Sequence, residues 1–264
     1  MRLRNKVAIV VGGGQTPGET IGNGRATALL FARQGARVVV ADRRLESAEE
    51  TVDAILEAGG DAVASEVDAT EAGDCAAMVA RCVERWGRID VLHNNVGIGD
   101  GDASAIRIPE EAWDHIFAVN LKTVLLACQH VLPVMRHQGA GAVINVSSIA
   151  ATCAHPLVAY KTSKAAVNAL TEQLAISNAG HGIRVNAIMP GMMNTPMAIE
   201  GISRALGVAK EELIAARDAR VPLGRKMGTA WDVAHAALYL ASDEAGFVTG
   251  VVMPVDGGQS LQRG

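Results

Sequence analysis

Short apolar runs rich in β-branched residues alternate with longer amphipathic stretches along the whole chain of 264 residues. The apolar runs are 7–11, 37–41, 62–67, 91–94, 142–146, 184–188 and 251–254. The stretches with helical periodicity are 25–34, 45–58, 72–86, 112–135 and 158–178. Near-continuous hydrophobicity is typical of parallel strands that are covered on both faces. Strand followed by helix, repeated in this way, predicts an α/β fold: a doubly wound parallel sheet of about seven strands with helices on both faces. No linker-like segment interrupts the pattern, so we expect a single domain over 1–264.

Composition and charge exclude several classes of function. The net charge of −4 provides no basic surface for nucleic acid or an anionic membrane. The four cysteines lack C-x-x-C spacing and the seven histidines lack H-E-x-x-H spacing, so we expect no metal site and no disulfide framework. The apolar run after Met1–Lys6 is too short for a signal peptide, and no segment approaches the length of a membrane span. These features predict a cytoplasmic protein.

The segment between the first strand and the first helix is rich in glycine. Ligands of doubly wound sheets bind outside the carboxyl ends of the strands, and a glycine turn there lets backbone amides hold a pyrophosphate. Gly12, Gly22, Asn23 and Gly24 are therefore candidate cofactor-binding residues.

The second strand ends in an acid, Asp42, 18 residues after Gly24, where a carboxylate can bind ribose hydroxyls. Asp42 would repel a 2′-phosphate, which favours NAD over NADP. The adjacent Arg43 could instead accept that phosphate, so NADP stays the alternative. Asp42 could also simply initiate the turn.

Polar residues follow the third and fourth strands as well. Asp68, with Ala69 beside it, is placed to meet the adenine amino group, and the turn from Asn94 to Gly97 is placed to line the ribose. Such residues also serve as helix caps and turn formers, so the prediction depends on their agreement across adjacent strands.

Tyr160 and Lys164 are four residues apart in a predicted helix and therefore lie on one face of it. The Lys164 charge there would favour the phenolate and lower the Tyr160 pKa from about 10, so that the tyrosine exchanges a proton with an alcohol. An ordinary surface Tyr/Lys pair is the alternative.

Just upstream of Tyr160, the fifth strand ends in Ser147 and Ser148, and a serine there can donate a hydrogen bond to a substrate oxygen.

Taken together, these pieces make the chain resemble the short-chain dehydrogenase/reductase family over nearly all its residues. The matching pieces are the Gly-rich turn, Asp68, the Asn-Asn-x-Gly turn, Asn120, the Ser-Ser pair, Tyr160, Lys164, the segment 186–191 with Thr195, and the tail 249–258. The resemblance implies that Tyr160 is the general acid/base, that Lys164 lowers its pKa and binds the nicotinamide ribose, and that Ser148 holds the reacting oxygen. It implies further that Asn120 braces a water linking Lys164 to solvent. Pro190, Met193 and Thr195 match positions that grip the nicotinamide end.

Three features depart from the family pattern. Gly12 and Gly22 are ten positions apart rather than four, so we expect residues 15–20 to form a flap near the adenosine or pyrophosphate, with an inert surface bulge as the alternative. Val11 and Val96 replace the usual Thr and Ala, which predicts that a side-chain tie between the first and fourth turns is missing. The serine-to-tyrosine spacing is one residue short, which leaves Ser147 as an alternative to Ser148.

The segments expected to form the substrate pocket are 97–107, 149–159 and 192–221, the last as a lid that is helical over 197–219. They are mostly apolar with few charges, which suits a neutral, moderately apolar secondary alcohol or ketone. The sequence therefore predicts an NAD(H)-dependent oxidoreductase of such compounds. The alternatives are an NADPH-dependent ketoreductase, a non-catalytic redox sensor, and an epimerase or dehydratase. The family resemblance also implies a homotetramer that pairs through the helices 112–135 and 158–178, with a second contact at the Gly-Gly-rich end.

Overall fold

The computed structural model describes residues 1–262 and is built around one seven-stranded sheet, in which every pairing of neighbouring strands is parallel. The strands along the chain are β1 (Val7–Val11), β2 (Arg37–Asp42), β3 (Asp61–Glu66), β4 (Val91–Asn94), β5 (Gly141–Val146), β6 (Ile183–Pro190), β7 (Met193–Asn194), β8 (Gly228–Thr229) and β9 (Val252–Val255). The large sheet has the order β3-β2-β1-β4-β5-β6-β9, and β7 pairs with β8 separately. This arrangement confirms the predicted doubly wound fold.

Helices cover both faces of the sheet. They are α1 (Asn23–Arg33), α2 (Leu45–Glu57), α3 (Ala72–Trp86), α4 (Glu110–Phe117), α5 (Thr123–Gln138), α6 (Val158–Ala179), α7 (Ile202–Leu206), α8 (Lys210–Asp218) and α9 (Ala230–Ala241). Sequence reasoning missed α9 and the short pair β7 and β8. The capping box of Thr229 and Asp232 was a local signal for α9. Strands of two residues carry no such signal, because only tertiary contacts bring them together.

The strand residues alternate between two hydrophobic clusters, one on each face of the sheet. Ala8 and Val10 of β1 pack with α1 and α9, whereas Val7, Ile9 and Val11 pack with α3, α5 and α6. All five residues are buried, as expected for a central parallel strand.

Strand β1 lies between β2 and β4, so the strand order reverses on either side of it. The turns after β1 and β4 therefore open side by side at the topological switch point, where doubly wound folds bind ligands. Backbone hydrogen bonds join the turns here: Asn95 N donates to Val11 O at 2.9 Å and Gly12 N to Ala41 O at 2.8 Å.

Helices α4 and α5 form one continuous helix, joined by a π-helical turn at Ala118–Lys122. This helix, Glu110–Gln138, has 29 residues and is long and apolar enough to span a membrane, contrary to the expectation that no segment approaches that length. In the fold, 56% of its most apolar window is buried, and α5 packs against α3 on the face of the sheet. Burial in the protein core accounts for the apolar character of these residues.

Candidate active site

The start of α1 packs directly on the first turn. A Cβ atom on Gly24 would lie 1.9 Å from the Gly12 carbonyl oxygen, so only glycine fits there. The helix begins after Gly22 with no side-chain cap and no acidic residue in its first turn. Its first backbone N–H groups therefore have no competing anion, which fits a dinucleotide pyrophosphate. Asn23 is part of this turn, and its side-chain oxygen is buried without a hydrogen-bond partner.

Asp42 closes the neighbouring turn with both carboxylate oxygens. Oδ2 accepts from Gly14 N at 3.0 Å and Oδ1 from Arg44 N at 3.1 Å. The turn-forming role of Asp42 is thus present, and each oxygen keeps a lone pair for a ribose hydroxyl. Arg43 is exposed and lies close enough to Asp68 to act on its charge.

At the end of β3, the Thr70 hydroxyl and N–H both donate to Asp68 Oδ1, at 2.6 and 2.9 Å. These two hydrogen bonds hold the Asp68 pKa below its ordinary value, and the bond from the Thr70 hydroxyl contributes most. The Arg43 charge makes a smaller contribution in the same direction. Asp68 is therefore ionised near neutral pH and can accept hydrogen bonds. The adjacent Ala69 is buried.

The two asparagines at the end of β4, Asn94 and Asn95, make side-chain contacts that the sequence did not predict. Asn94 is buried, and its Nδ2 donates to Asn145 Oδ1 at 2.9 Å inside the sheet, so its side chain does not line the ribose site. Asn95 Nδ2 donates to the Gly12 carbonyl at 3.0 Å. This bond ties the fourth turn to the first, so the expectation that a side-chain tie is missing was wrong. Asn95 joins the two turns in place of the Thr and Ala that Val11 and Val96 replace.

Lys164 reaches the same edge of the sheet through the core. It is 2% exposed, and its Nζ donates to the Val146 carbonyl at 2.9 Å. A Cβ atom on Gly97 would lie 2.7 Å from this Nζ, so the glycine makes room for the ammonium group. Burial lowers the Lys164 pKa to about 8.

Tyr160 lies one helical turn before Lys164, and Lys164 Nζ is 6.0 Å from its ring centroid. Burial raises the Tyr160 pKa, and the nearby Ser148 hydroxyl partly offsets this rise. The net direction is opposite to the lowering expected from Lys164, because desolvation of the phenolate dominates.

Ser147 and Ser148 face opposite sides, as successive residues of an extended chain do. Ser147 Oγ donates to the Lys164 carbonyl at 2.9 Å and is buried away from the site. Ser148 is on the Tyr160 side, and its Oγ also accepts from Ala150 N at 3.2 Å.

Asn120 lies in the π-helical turn and is fully buried. Its Oδ1 accepts from Ile98 N at 2.7 Å, and its Nδ2 donates to Ile98 O at 2.9 Å and Ser163 Oγ at 3.0 Å. Asn120 thus fixes the loop after β4 against α6. π-helical turns occur often at functional sites, and this one faces the helix that carries Tyr160 and Lys164.

Sequence reasoning missed two residues that position this site. Asp102 accepts from Ala159 N at 3.1 Å and from Tyr160 N at 2.6 Å, and so caps the start of α6 from the preceding loop. Lys161 Nζ donates to the carbonyls of Ala150 and Cys153 and holds the loop after β5. Neither contact has a local sequence signal, because the partners come from separate loops.

At the predicted nicotinamide end, Pro190, Met193 and Thr195 are all buried. Met193 packs against Gly228 within the hydrophobic core, so only its backbone is available to a cofactor. Gln259, which sequence reasoning also missed, accepts from Met192 N at 2.6 Å and supports this segment.

The flap, residues 15–20, is anchored next to α2. Gln15 N donates to Ser47 Oγ at 2.6 Å, and the Gln15 carbonyl accepts from both Ser47 and Arg44. The Gln15 side chain accepts from Gly22 N at 3.1 Å and donates to Thr20 O at 3.2 Å, which closes the flap on itself. The flap is thus a defined loop with anchors at both ends.

Within residues 1–262, no group of three or more His, Cys, Asp or Glu side chains is arranged to hold a metal ion. All four cysteines are free, and burial raises the pKa of Cys75 to about 11 and of Cys82 and Cys128 to about 12. These three thiols are therefore protonated and unreactive near neutral pH.

Comparisons with known proteins agree with this geometry. The family model described as Enoyl-(Acyl carrier protein) reductase matches residues 19–260. The chain is 39% identical over 257 residues to 2-(R)-hydroxypropyl-CoM dehydrogenase of Xanthobacter autotrophicus, covering 96% of this chain and 98% of that protein.

Two solved structures are similar over nearly the whole chain. A short-chain dehydrogenase/reductase from Burkholderia xenovorans superposes with a TM-score of 0.91 at 38% identity, covering 100% of this chain and 99% of the other. A 7 alpha-hydroxysteroid dehydrogenase complexed with NADH and 7-oxo glycochenodeoxycholic acid superposes with a TM-score of 0.86 at 31% identity, covering 97% and 95%.

The fold and these matches define a Rossmann-fold oxidoreductase of the kind that acts on alcohols and ketones with a nicotinamide cofactor. The chain belongs to the short-chain dehydrogenase/reductase family.

Proposed function

We propose that the protein is an NAD(H)-dependent oxidoreductase that interconverts a neutral, moderately apolar secondary alcohol and its ketone. The observation that carries the proposal is the convergence of Tyr160, Lys164, Ser148 and Asn120 beside the glycine turn at the switch point of the sheet. The names of the two related dehydrogenases refer to secondary alcohols, a 2-hydroxypropyl group and a 7-hydroxysteroid, and the second was solved with a 7-oxo compound bound.

Each side chain has a chemical task in this proposal. The Tyr160 hydroxyl gives a proton to the substrate oxygen during reduction and takes it back during oxidation. The Ser148 hydroxyl donates a hydrogen bond to the same oxygen and orients it. Asn120 holds the loop after β4 so that Lys164 stays beside Tyr160, and a water braced there would link Lys164 to solvent. When bound, the cofactor supplies the hydride and, in its oxidised form, a positive charge that favours the Tyr160 phenolate.

The same geometry supports the proposed cofactor-binding residues. Gly12, Gly22, Asn23 and Gly24 would hold the pyrophosphate, and Asp42 would accept hydrogen bonds from the adenosine ribose. Asp68 and Ala69 would contact the adenine, and Gly97 the nicotinamide side. Pro190, Thr195 and the backbone of Met193 would hold the nicotinamide.

The first test is fluorescence titration of the purified protein with NADH and NADPH, followed by assays of cyclic and aryl secondary alcohols with the preferred cofactor. We expect NADH to bind more tightly and at least one alcohol to be oxidised. NADPH preference would instead assign the selecting role to Arg43 and favour the ketoreductase. Binding without any turnover would favour the redox sensor.

Replacing Tyr160 by phenylalanine tests the catalytic assignment. We expect turnover to fall by about 10²–10⁴-fold, because the proton donor is lost. NADH affinity should stay nearly unchanged, since the hydroxyl serves the chemistry rather than binding. Near-normal turnover of the variant would refute the role of Tyr160.

Replacing Asp42 by alanine tests the cofactor assignment separately. The carboxylate attracts hydroxyl donors and repels a phosphate, so the variant should lose more affinity for NADH than for NADPH. Equal losses for both cofactors would show that Asp42 supports the turn through Gly14 and does not select the ribose.

A further inference from the structure

The flap contacts the lid segment, although the two are far apart in the sequence. Glu19 N donates to Glu200 Oε1 at 3.0 Å, and Lys210 Nζ donates to Glu19 Oε1 at 3.0 Å. Lys210 Nζ also lies 3.7 Å from Glu200 Oε1. Lys210 therefore bridges two carboxylates, one on the flap and one on the lid.

The backbone of the flap packs tightly on the lid segment as well. A Cβ atom on Gly18 would lie 2.6 Å from Glu200 Oε1 and 2.7 Å from Pro196 Cβ. Glycine at this position lets the flap approach closely enough for the Glu19 N–H to reach Glu200. Glu200 is the most buried member of the group, with a side chain that is 12% exposed, compared with 36% for Lys210 and 81% for Glu19.

A cavity of about 180 Å³ lies between the flap and the lid segment, lined by Thr20, Asn194 and Glu200 among others. Three side-chain oxygens of these residues are buried without hydrogen-bond partners: Thr20 Oγ1, Asn194 Oδ1 and Glu200 Oε2. Buried polar atoms are nearly always paired, so a cluster of unpaired ones beside a cavity indicates a place for a polar ligand. Asn194 directly precedes Thr195, which the proposed function assigns to the nicotinamide end.

We propose that the flap and the lid form one cover over the bound cofactor, and that Glu200 is the positioning residue that joins them. The inference rests on the proposed function, because it takes the cofactor to run from the turn after β1 to the segment around Thr195. The flap extends from the first of these regions and the lid from the second. Cofactor release then requires separation of Glu19, Glu200 and Lys210, so lid opening and cofactor exchange become one motion.

The test measures NADH dissociation directly. The protein is loaded with NADH and mixed with excess NAD⁺ in a stopped-flow fluorimeter, and the loss of NADH fluorescence gives the dissociation rate. Glu200→Ala should raise this rate about tenfold, because it removes a charge-assisted hydrogen bond from a mostly buried acceptor. Lys210→Ala should raise it only about threefold, since its ion pair with Glu19 is exposed and screened. Lys210→Arg should restore most of the slow release.

Matched control variants distinguish loss of the contact between flap and lid from a general effect of removing a surface charge. Glu212→Ala removes an exposed carboxylate from the same helix as Lys210, and Lys226→Ala removes an exposed ammonium after the lid. Both should release NADH at the rate of the unchanged protein. Glu19→Ala and Lys210→Ala should be non-additive when combined, because they remove the same contact.

A purely structural role predicts a different outcome. If the contact only stabilised the fold, Glu19→Ala and Lys210→Ala would lower the melting temperature of the cofactor-free protein and leave the NADH release rate unchanged. If the flap and the lid cover the cofactor, these two surface variants should release NADH faster and keep the same melting temperature. Unchanged NADH release in these two variants and in Glu200→Ala would overturn the cover and leave the proposed function intact. If the unchanged protein bound neither NADH nor NADPH, the proposed function would fail and the cover with it.

Discussion

His93 is a titratable residue in an apolar part of the sheet. It is fully buried in β4, both ring nitrogens lack hydrogen-bond partners, and the Phe31 ring meets it edge-on with centroids 6.1 Å apart. Burial lowers the His93 pKa to about 3. The residue is therefore neutral in the folded protein throughout the physiological pH range.

This burial makes stability depend on pH in a definite direction. Between pH 6.5 and about 3 the unfolded chain binds a proton at His93 that the folded chain does not, so the free energy of unfolding falls as the pH falls. From pH 7 to pH 5 the loss from this group should be about 2 kcal/mol. We expect His93→Leu to remove that part of the acid sensitivity and to be neutral or stabilising at pH 7, because no hydrogen bond is lost.

Urea unfolding of the protein and of His93→Leu at pH 7 and pH 5 measures this difference. His181→Gln is the control, because it replaces an exposed histidine and leaves the buried one in place. Equal acid sensitivity of His93→Leu and the unchanged protein would mean that His93 is already charged or solvated in the folded state.

Individual residues also show which contacts the sequence could predict and which it could not. The convergence of Tyr160 and Lys164 could be predicted, because helical spacing alone puts them on one face. The roles of Asn94 and Asn95 could not, since they depend on which side of the strand end each amide faces. Asn94 faces Asn145 in the core, and Asn95 faces the Gly12 carbonyl.

At the scale of elements, the start of α6 determines where Tyr160 lies. Asp102 accepts from the N–H groups of Ala159 and Tyr160, and Val158 N donates to Ala103 O at 3.1 Å. A loop 58 residues before Tyr160 thus satisfies the free amides of the helix. The negative carboxylate is also favourable at the positive end of the helix dipole. The strand and helix pattern predicted α6 itself, but the source of its cap is a tertiary contact that no local pattern reveals.

Asp102→Ala should therefore affect both stability and catalysis. Loss of the cap should lower the free energy of unfolding by about 1–2 kcal/mol. It should also lower kcat, because the first turn of α6 frays and Tyr160 is the third residue of that helix. Thermal unfolding and steady-state kinetics measure the two effects, with Asp100→Ala, an exposed acid of the same loop, as the control. If the melting temperature falls while kcat stays constant, the cap supports the fold without positioning Tyr160.

For the whole molecule, four of the exposed apolar residues lie where contacts between copies are expected. Leu125 on α5 and Ile176 on α6 are 39% and 74% exposed, on the helices that family resemblance assigns to pairing. Phe247 is fully exposed in the loop before β9, and Leu261 is 82% exposed just after the Gly-Gly segment. Single exposed apolar side chains are common, but helices α5 and α6 carry two of them and the segments that flank β9 carry two more, which fits two different contacts between copies. We propose a homotetramer built from these two contacts.

Charge substitutions on each face test this assembly. Chains of 27.4 kDa should form a tetramer, which light scattering coupled to size exclusion measures as a molar mass. Ile176→Glu should reduce the tetramer to dimers, because a buried unpaired carboxylate disrupts an apolar contact. Phe247→Glu should do the same on the other face, and the combined variant should be monomeric. Leu56→Glu, at a 49% exposed position on α2 away from both faces, should remain tetrameric. A monomeric unchanged protein would exclude the tetramer. A tetramer that persists in the combined variant would place its contacts on other surfaces.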